Sequence, residues 1–270
     1  MKIAHDFHMH TSLSLCAEKT ANVKEYVESA KKAGFEKLGF ANHFWDAAIP
    51  GANDFYVPQH YDHVESMKPE IEEAKKSGLT LYFGCECEYD PYRHGVACTP
   101  EVAEKFEFMI VPNSHTHLMM PKDYYHPYEK HAEFMVNAYE EILNSEVAKY
   151  ITGMAHPFEA VACPYDRAIL IGLIKEDVFK RLFTLQAEKG IAFEINLSCL
   201  DQKQPDEFAV SDRFKMFKTA KDCGCQFIFG TDIHSSAKYA AGVADAAIKG
   251  ANLVAEMLGL REEDIIEIAK

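Results

Sequence analysis

Two histidines separated by one residue, His8 and His10, lie close to the start of the chain. The surrounding stretch reads as a strand, in which residues two apart point to the same side. Both imidazoles can therefore bind one cation while Phe7 and Met9 pack behind them. The pair indicates a metal site.

Further possible ligands recur along the chain, each just after an apolar stretch typical of a strand: His43, Glu86, His115, His156, Asp232 and His234. The carboxyl ends of the parallel strands in a barrel converge on one pocket, so one pocket can collect all of them. A single histidine or glutamate at a strand end is more often an ordinary hydrogen-bonded residue. Their joint recurrence at strand ends predicts a site for several metal ions.

The elements that must position these residues alternate along the chain. Strands are predicted at residues 2–10, 37–42, 80–88, 108–111, 150–155, 192–196 and 226–229, and the main helices at 23–33, 61–77, 128–143, 175–189 and 212–223. This alternation predicts an α/β fold, a TIM-like barrel with one strand–helix unit missing. No linker rich in Pro, Gly or Ser interrupts it, so residues 1–270 are expected to form one domain.

Composition excludes several classes of function. The formal charge of −14 argues against a long nucleic acid or an anionic membrane as partner, since both need clustered Lys and Arg. No apolar run approaches the roughly 20 residues that span a bilayer, and no signal peptide is recognisable. The eight cysteines are expected to be reduced thiols in a cytoplasmic protein.

The ligand-bearing motifs DFHMH, GFANH, GCECE, SH, AHP and GTDIH resemble, in order and spacing, those of the polymerase and histidinol phosphatase (PHP) superfamily. The chain is most similar to the histidinol-phosphatase branch. This resemblance implies a distorted (β/α)7 barrel with two to three divalent ions, Zn, Fe or Mn, at the carboxyl ends of the strands. It implies a first metal on His8, His10, Glu86 and Asp232, a second on Glu86, His115 and His156, and a third on Cys16, His43 and His234.

The assignment of the ligand is undecided at two positions. Relatives usually have His or Asp where this chain has Cys16, and a thiolate either favours zinc there or leaves the third site weak. His117 competes with His115, because residues two apart face the same side of a strand. The other histidines, at positions 5, 60, 63, 94, 126 and 131, are expected at the surface or the pocket rim.

Paired cations lower the pKa of a bound water and neutralise phosphoryl oxygens, which predicts hydrolysis of a phosphate monoester by a metal-bound hydroxide. Asp232 and His234 are the candidate catalytic residues; His234, or a water on the third metal, could protonate the leaving alkoxide. The expected substrate is a small phosphorylated metabolite such as histidinol phosphate. Candidate substrate contacts are Arg93, Arg167, His117 and Asn196, of which Asn196 could equally bind a metal ligand.

Two other functions remain open. Similar clusters act as phosphodiesterases or exonucleases on short nucleotides, and degenerate ones serve as non-catalytic regulatory modules. The retained ligand types argue against the second. The sequence predicts no particular oligomeric state.

Overall fold

The predicted strands form one parallel sheet in a computed structural model that describes residues 2–160, 167–197 and 205–268. Within these residues the sheet has seven strands, which neighbour one another in chain order. They are β1 (His5–Met9), β2 (Lys37–Phe44), β3 (Thr80–Cys87), β4 (Phe108–Pro112), β5 (Gly153–Ala155), β6 (Ala192–Asn196) and β7 (Phe227–Gly230).

The first and last strands meet, so the sheet is nearly closed. The amide of Asp232 donates to the carbonyl of His8 at 2.8 Å, and the amide of His10 donates to the carbonyl of Ile233 at 2.9 Å. Met9 and Ile233 pair in parallel. The predicted seven-stranded, TIM-like barrel is confirmed.

Helices alternate with the strands. They are α1 (Val23–Ala33), α2 (Tyr61–Glu65), α3 (Lys68–Ala74), α4 (Pro100–Ala103), α5 (Tyr128–Leu143), α6 (Arg167–Leu173), α7 (Glu176–Glu188), α8 (Pro205–Ala209), α9 (Asp212–Asp222), α10 (Ser236–Lys238) and α11 (Ala244–Leu258). The helix predicted over residues 61–77 is instead split into α2, α3 and a 3-10 turn at Lys75–Ser77. Pro69 has no N–H to continue the hydrogen bonding of α2, so a new helix begins beside it.

Apolar side chains fill the interior of the barrel towards the amino ends of the strands. Phe108 occupies the space that Gly39 and Gly84 leave, and a Cβ atom on Gly84 would lie 2.2 Å from its ring. Phe227, at the start of β7, pairs with Ile265 near the end of the chain. Apolar side chains thus occupy the interior at this end, which leaves the carboxyl ends of the strands for a polar site.

Two histidines expected at the surface or rim are buried, so that prediction was wrong for them. His5 stacks on Phe7 with ring centroids 4.4 Å apart, and its Nε2 accepts a hydrogen bond from the Phe229 amide at 3.0 Å. His131 lies on the buried face of α5. His5 is covered by a segment distant in sequence, which local patterns do not reveal.

Six cysteines are free thiols in the described ranges: Cys16, Cys85, Cys87, Cys98, Cys223 and Cys225. Cys163 and Cys199 lie outside the described residues. No helix in the described part of the chain combines the length and the apolar character needed to cross a membrane.

Candidate metal centre

The predicted ligands converge at the carboxyl end of the barrel. Within the described chain, ligand atoms approach to within 4.8 Å of one another in four overlapping groups: His8, His10 and Asp232; His8, Glu86 and His156; His43, Glu86 and His115; and His10, His43 and His234. Most of these side chains are buried, while Asp232 and His234 keep 18% and 30% of their side chains exposed. The cluster is therefore open on the side of β7.

Glu86 lies at the centre, with each carboxylate oxygen facing a different set of imidazoles. Its Oε2 lies 2.9 Å from Nδ1 of His43 and 3.4 and 3.5 Å from Nε2 of His10 and His8. Its Oε1 lies 3.3 Å from Nε2 of His115 and 2.9 Å from Nε2 of His156. One carboxylate thus stands between two sets of donors, as a bridging ligand must.

The β2–β3 register explains part of this arrangement, since His43 is paired with Glu86 across the two parallel strands. His156 and Asp232 come from tight turns after β5 and β7. Their φ angles of 29° and 54° are in the left-handed region, which is costly for residues with side chains. Asp232 Oδ1 thereby lies 3.1 Å from His10 Nε2 and 3.4 Å from His8 Nε2.

Four imidazoles make a hydrogen bond through Nδ1 to an oxygen on the side away from the cluster. The partner oxygens are Glu194 for His8 at 2.7 Å, Ser14 for His10 at 2.9 Å, Glu88 for His115 at 2.8 Å and Ser114 for His156 at 2.6 Å. Carboxylates accept only, so His8 and His115 carry their proton on Nδ1. Ser14 donates to Asn42, and Ser114 donates to the carbonyl of His156, so both hydroxyls accept from imidazole. All four Nε2 atoms therefore face the cluster.

These supporting oxygens are the functional residues that sequence reasoning missed. The period of two along a strand offered a signal, because Glu88 follows Glu86 and Glu194 precedes Asn196 by two residues. The signal was weak, since nothing local says which histidine each carboxylate will contact.

The cluster fits divalent cations. Metal bonds of about 2.0–2.1 Å place the donors of a tetrahedral ion about 3.4 Å apart. Here Nε2 of His8 and Nε2 of His10 are 3.1 Å apart, close to the spacing of two ligands of one ion. Buried Glu86 Oε2 and His43 Nδ1 have no hydrogen-bond partner among the described residues, and a cation would satisfy both. Imidazole and carboxylate donors suit zinc, iron and manganese.

Charges within the cluster shift its pKa values in opposite directions. Burial alone would raise the pKa of Glu86, but His115, His8 and His43 hold it well below its usual value. Burial opposes protonation of His8, yet Glu194, Glu86 and Asp232 raise its pKa well above the usual range. Burial, then His234 and His43, lower the pKa of His10. Glu86 is consequently an ionised ligand at neutral pH.

Comparison with known proteins agrees with this geometry. The model of the PHP domain family matches residues 6–198. The chain belongs to the PHP domain family. No curated protein sequence matches it.

A solved phosphatase structure shares the fold of this PHP protein. Histidinol phosphate phosphatase from Lactococcus lactis subsp. lactis Il1403, complexed with zinc, L-histidinol and phosphate, has a TM-score of 0.65 and 17% identity, with 98% of each chain covered. A chain of archaeal ribonuclease P with mature tRNA has a TM-score of 0.41 and 12% identity, with 98% of this chain and 96% of that chain covered. At 17% identity the likeness to the phosphatase shows the fold alone.

The third predicted metal group differs in detail from the observed one. His43 and His234 are grouped with His10, whereas the exposed Cys16 belongs to none of the four groups within the described chain. Burial opposes protonation of His43, and the nearby Glu86 carboxylate and Cys16 thiol raise the pKa of that imidazole. Cys16 lies beside the group rather than inside it.

The structure describes the side chain of one of the two candidate arginines, Arg93. Arg93 is exposed in the turn of a hairpin formed by Tyr89–Asp90 and Gly95–Val96. The next residue, His94, contacts Glu141 in the last turn of α5 at 3.0 Å. Arg167 begins α6, and its side chain lies outside the described residues.

The other two candidate substrate contacts are His117, beside the ligand candidate His115, and Asn196 in β6. His117 is exposed, with its ring 5.9 Å from that of His115, and His115 is the one with an Nε2 towards Glu86. Asn196 is buried at the end of β6, two residues beyond Glu194. His117 is thus placed to meet a molecule entering from solvent.

Proposed function

We propose that this protein is a metal-dependent phosphomonoesterase that hydrolyses a small phosphorylated metabolite, with histidinol phosphate as the first candidate. The position of Glu86, between two sets of imidazole nitrogens in a PHP domain, carries the proposal. Two to three divalent ions, Zn, Fe or Mn, would be held by His8, His10, Cys16, His43, Glu86, His115, His156, Asp232 and His234. When bound, such ions would acidify a water and neutralise the phosphoryl oxygens.

The side chains have distinct tasks in this proposal. Glu86 and Asp232 supply the negative charge that retains cations, and the four Nδ1 contacts hold the imidazoles in place. His234 Nδ1 donates to the Asp232 carbonyl at 2.7 Å, which leaves its Nε2 for a cation or for a proton to pass to the leaving alkoxide. Its partial exposure gives substrate access to that atom.

The substrate assignment draws on the Lactococcus lactis structure, whose bound L-histidinol and phosphate are the two products of histidinol phosphate hydrolysis. The charge of −14 disfavours long nucleic acids and leaves a small anion steered by the cations. His117, Asn196, Arg93 and Arg167 are proposed substrate contacts. We also propose that residues 1–270 form one barrel domain.

The test combines metal analysis with a substrate panel. Purified protein is assayed for phosphate release from histidinol phosphate, an aryl phosphate, a bis-aryl phosphate diester and a nucleoside monophosphate. Monoester hydrolysis by the wild type, lost in Glu86→Gln and kept in the exposed control Glu101→Gln, is expected. Preference for the diester would overturn the monoesterase assignment, and inactivity of the metal-loaded protein on all four would favour a regulatory module.

A further inference from the structure

Glu194 contacts two different metal-ligand candidates at once. It lies in β6 with 1% of its surface exposed. Its Oε1 lies 2.7 Å from Nδ1 of His8, and its Oε2 accepts a hydrogen bond from the backbone amide of His156. None of the four ligand groups in the described chain includes Glu194. Glu194 therefore contacts the ligand candidates without being one of them.

The two histidines that it holds face opposite oxygens of Glu86. His8 Nε2 lies 3.5 Å from Oε2, and His156 Nε2 lies 2.9 Å from Oε1. Their rings are stacked with centroids 5.4 Å apart and planes at 23°. A displacement of Glu194 would consequently reach both sides of the bridging carboxylate.

The contact between Glu194 and His8 requires a residue without a side chain at position 230. Gly230 in β7 has no Cβ, and a Cβ there would lie 2.3 Å from Glu194 Oε1 and 2.3 Å from the His8 Cβ. β1, β6 and β7 thus meet at Glu194 without room for another carbon.

We propose that Glu194 is a positioning residue that couples the two halves of the metal cluster. This inference rests on the proposed metal-dependent function. A carboxylate that accepts the Nδ1 proton fixes the imidazole tautomer and makes Nε2 a stronger ligand. The second oxygen holds the left-handed turn that presents His156. One side chain therefore supports ligands on both oxygens of Glu86.

Glu88 is the matched comparison within the same chain. It is also buried and accepts from Nδ1 of His115 at 2.8 Å, but its other contacts are with the Tyr56 hydroxyl and the Tyr89 amide. It supports a single imidazole of the cluster. Loss of Glu88 should lower the affinity for one ion, whereas loss of Glu194 should lower the affinity for two.

The experiment uses Glu194→Gln, Glu88→Gln and Tyr139→Phe in the full chain. An amide has one acceptor oxygen, so Gln at 194 satisfies either the His8 Nδ1–H or the His156 amide, but not both. Tyr139→Phe removes a buried hydrogen bond to Gln186 and controls for the effect of a general loss of stability. Metal-free proteins are titrated with Zn²⁺ against a chromophoric chelator, and thermal unfolding checks that each is folded.

We expect the wild type to bind at least two ions. Affinity should fall about 10- to 100-fold for two ions in Glu194→Gln, for one ion in Glu88→Gln and for none in Tyr139→Phe. In zinc-loaded wild type labelled with ¹⁵N-histidine, His8 should carry its proton on Nδ1, with a strongly deshielded signal. This second readout needs no variant to fold.

Three results would overturn the inference: wild-type zinc affinity in Glu194→Gln, a loss no larger than in Tyr139→Phe, or a His8 proton on Nε2. Each leaves the proposed function standing if the wild type binds ions and releases phosphate. A wild-type protein that binds no divalent ion would overturn the proposed function first, and this inference with it.

Discussion

Replacing Gly230 with alanine should weaken metal binding by displacing Glu194 and the ligand candidate His8. The new Cβ would lie 2.3 Å from Glu194 Oε1, 2.3 Å from the His8 Cβ and 3.2 Å from the His8 amide nitrogen. Ordinary contacts to a Cβ begin near 3.4 Å, so Glu194 and His8 must each move by about 1 Å. The His8 atoms belong to a barrel strand and cannot give way easily.

Two effects follow from that displacement. Overpacking of this kind costs about 1–3 kcal/mol in the free energy of unfolding. The 2.7 Å contact between Glu194 and His8 Nδ1 should also be lost, which should lower zinc affinity by about 10- to 100-fold.

The matched control is Gly250→Ala in α11, where no described atom outside the adjacent backbone of that helix lies within 4 Å of the added Cβ. Alanine in a helix interior should stabilise this variant by about 0.5–1 kcal/mol and leave zinc binding unchanged. Urea unfolding of the metal-free proteins and zinc titration of the folded ones measure both effects. A Gly230→Ala protein with wild-type stability and zinc affinity would refute the reasoning.

Three further predictions concern acid, thiol and metal. Burial and then Lys37 lower the pKa of His5 to about 3, so its contribution to stability is complete above its usual value of 6.5 and is lost as the pH falls. At pH 4.5 the wild type should lose at most about 2.7 kcal/mol of its free energy of unfolding through His5. Urea unfolding at pH 7 and 4.5 should show a smaller acid-induced loss in His5→Gln than in the wild type; equal losses would contradict this. Cobalt-loaded wild type should show a thiolate-to-cobalt charge-transfer band that Cys16→Ser lacks, and no such band in the wild type would exclude Cys16 as a ligand. Zinc at about 100 times its dissociation constant should add about 2.7 kcal/mol to the free energy of unfolding of the wild type, a gain that EDTA removes and Glu86→Gln largely lacks; equal gains in both proteins would argue against Glu86 as a ligand.

Short-range patterns were enough to predict the barrel and the residues gathered at its mouth. The apolar runs located all seven strands in the described chain. Because parallel strands end at one face, the polar residues after them had to meet there. The pairing of His43 with Glu86 needs only the register that the barrel imposes.

What the sequence did not predict depends on long-range packing. Glu194 and Glu88 became recognisable only when β6 and β3 were seen beside particular histidines. His5 was misplaced because Phe229, more than 200 residues away, covers it. Cys16 lies outside the four ligand groups of the described chain, and its role as a ligand stays a prediction because no periodic pattern governs the loop after β1.

X-ray absorption of the zinc-loaded protein tests the central claim most directly, because it reports the atoms around each ion and the distance between ions. A cluster bridged by Glu86 predicts at least two zinc ions per chain with nitrogen and oxygen ligands and a zinc–zinc distance of about 3.5–4 Å. Glu86→Gln should lose that zinc–zinc signal. A single isolated zinc in the wild type, or the same zinc–zinc signal in both proteins, would contradict the account.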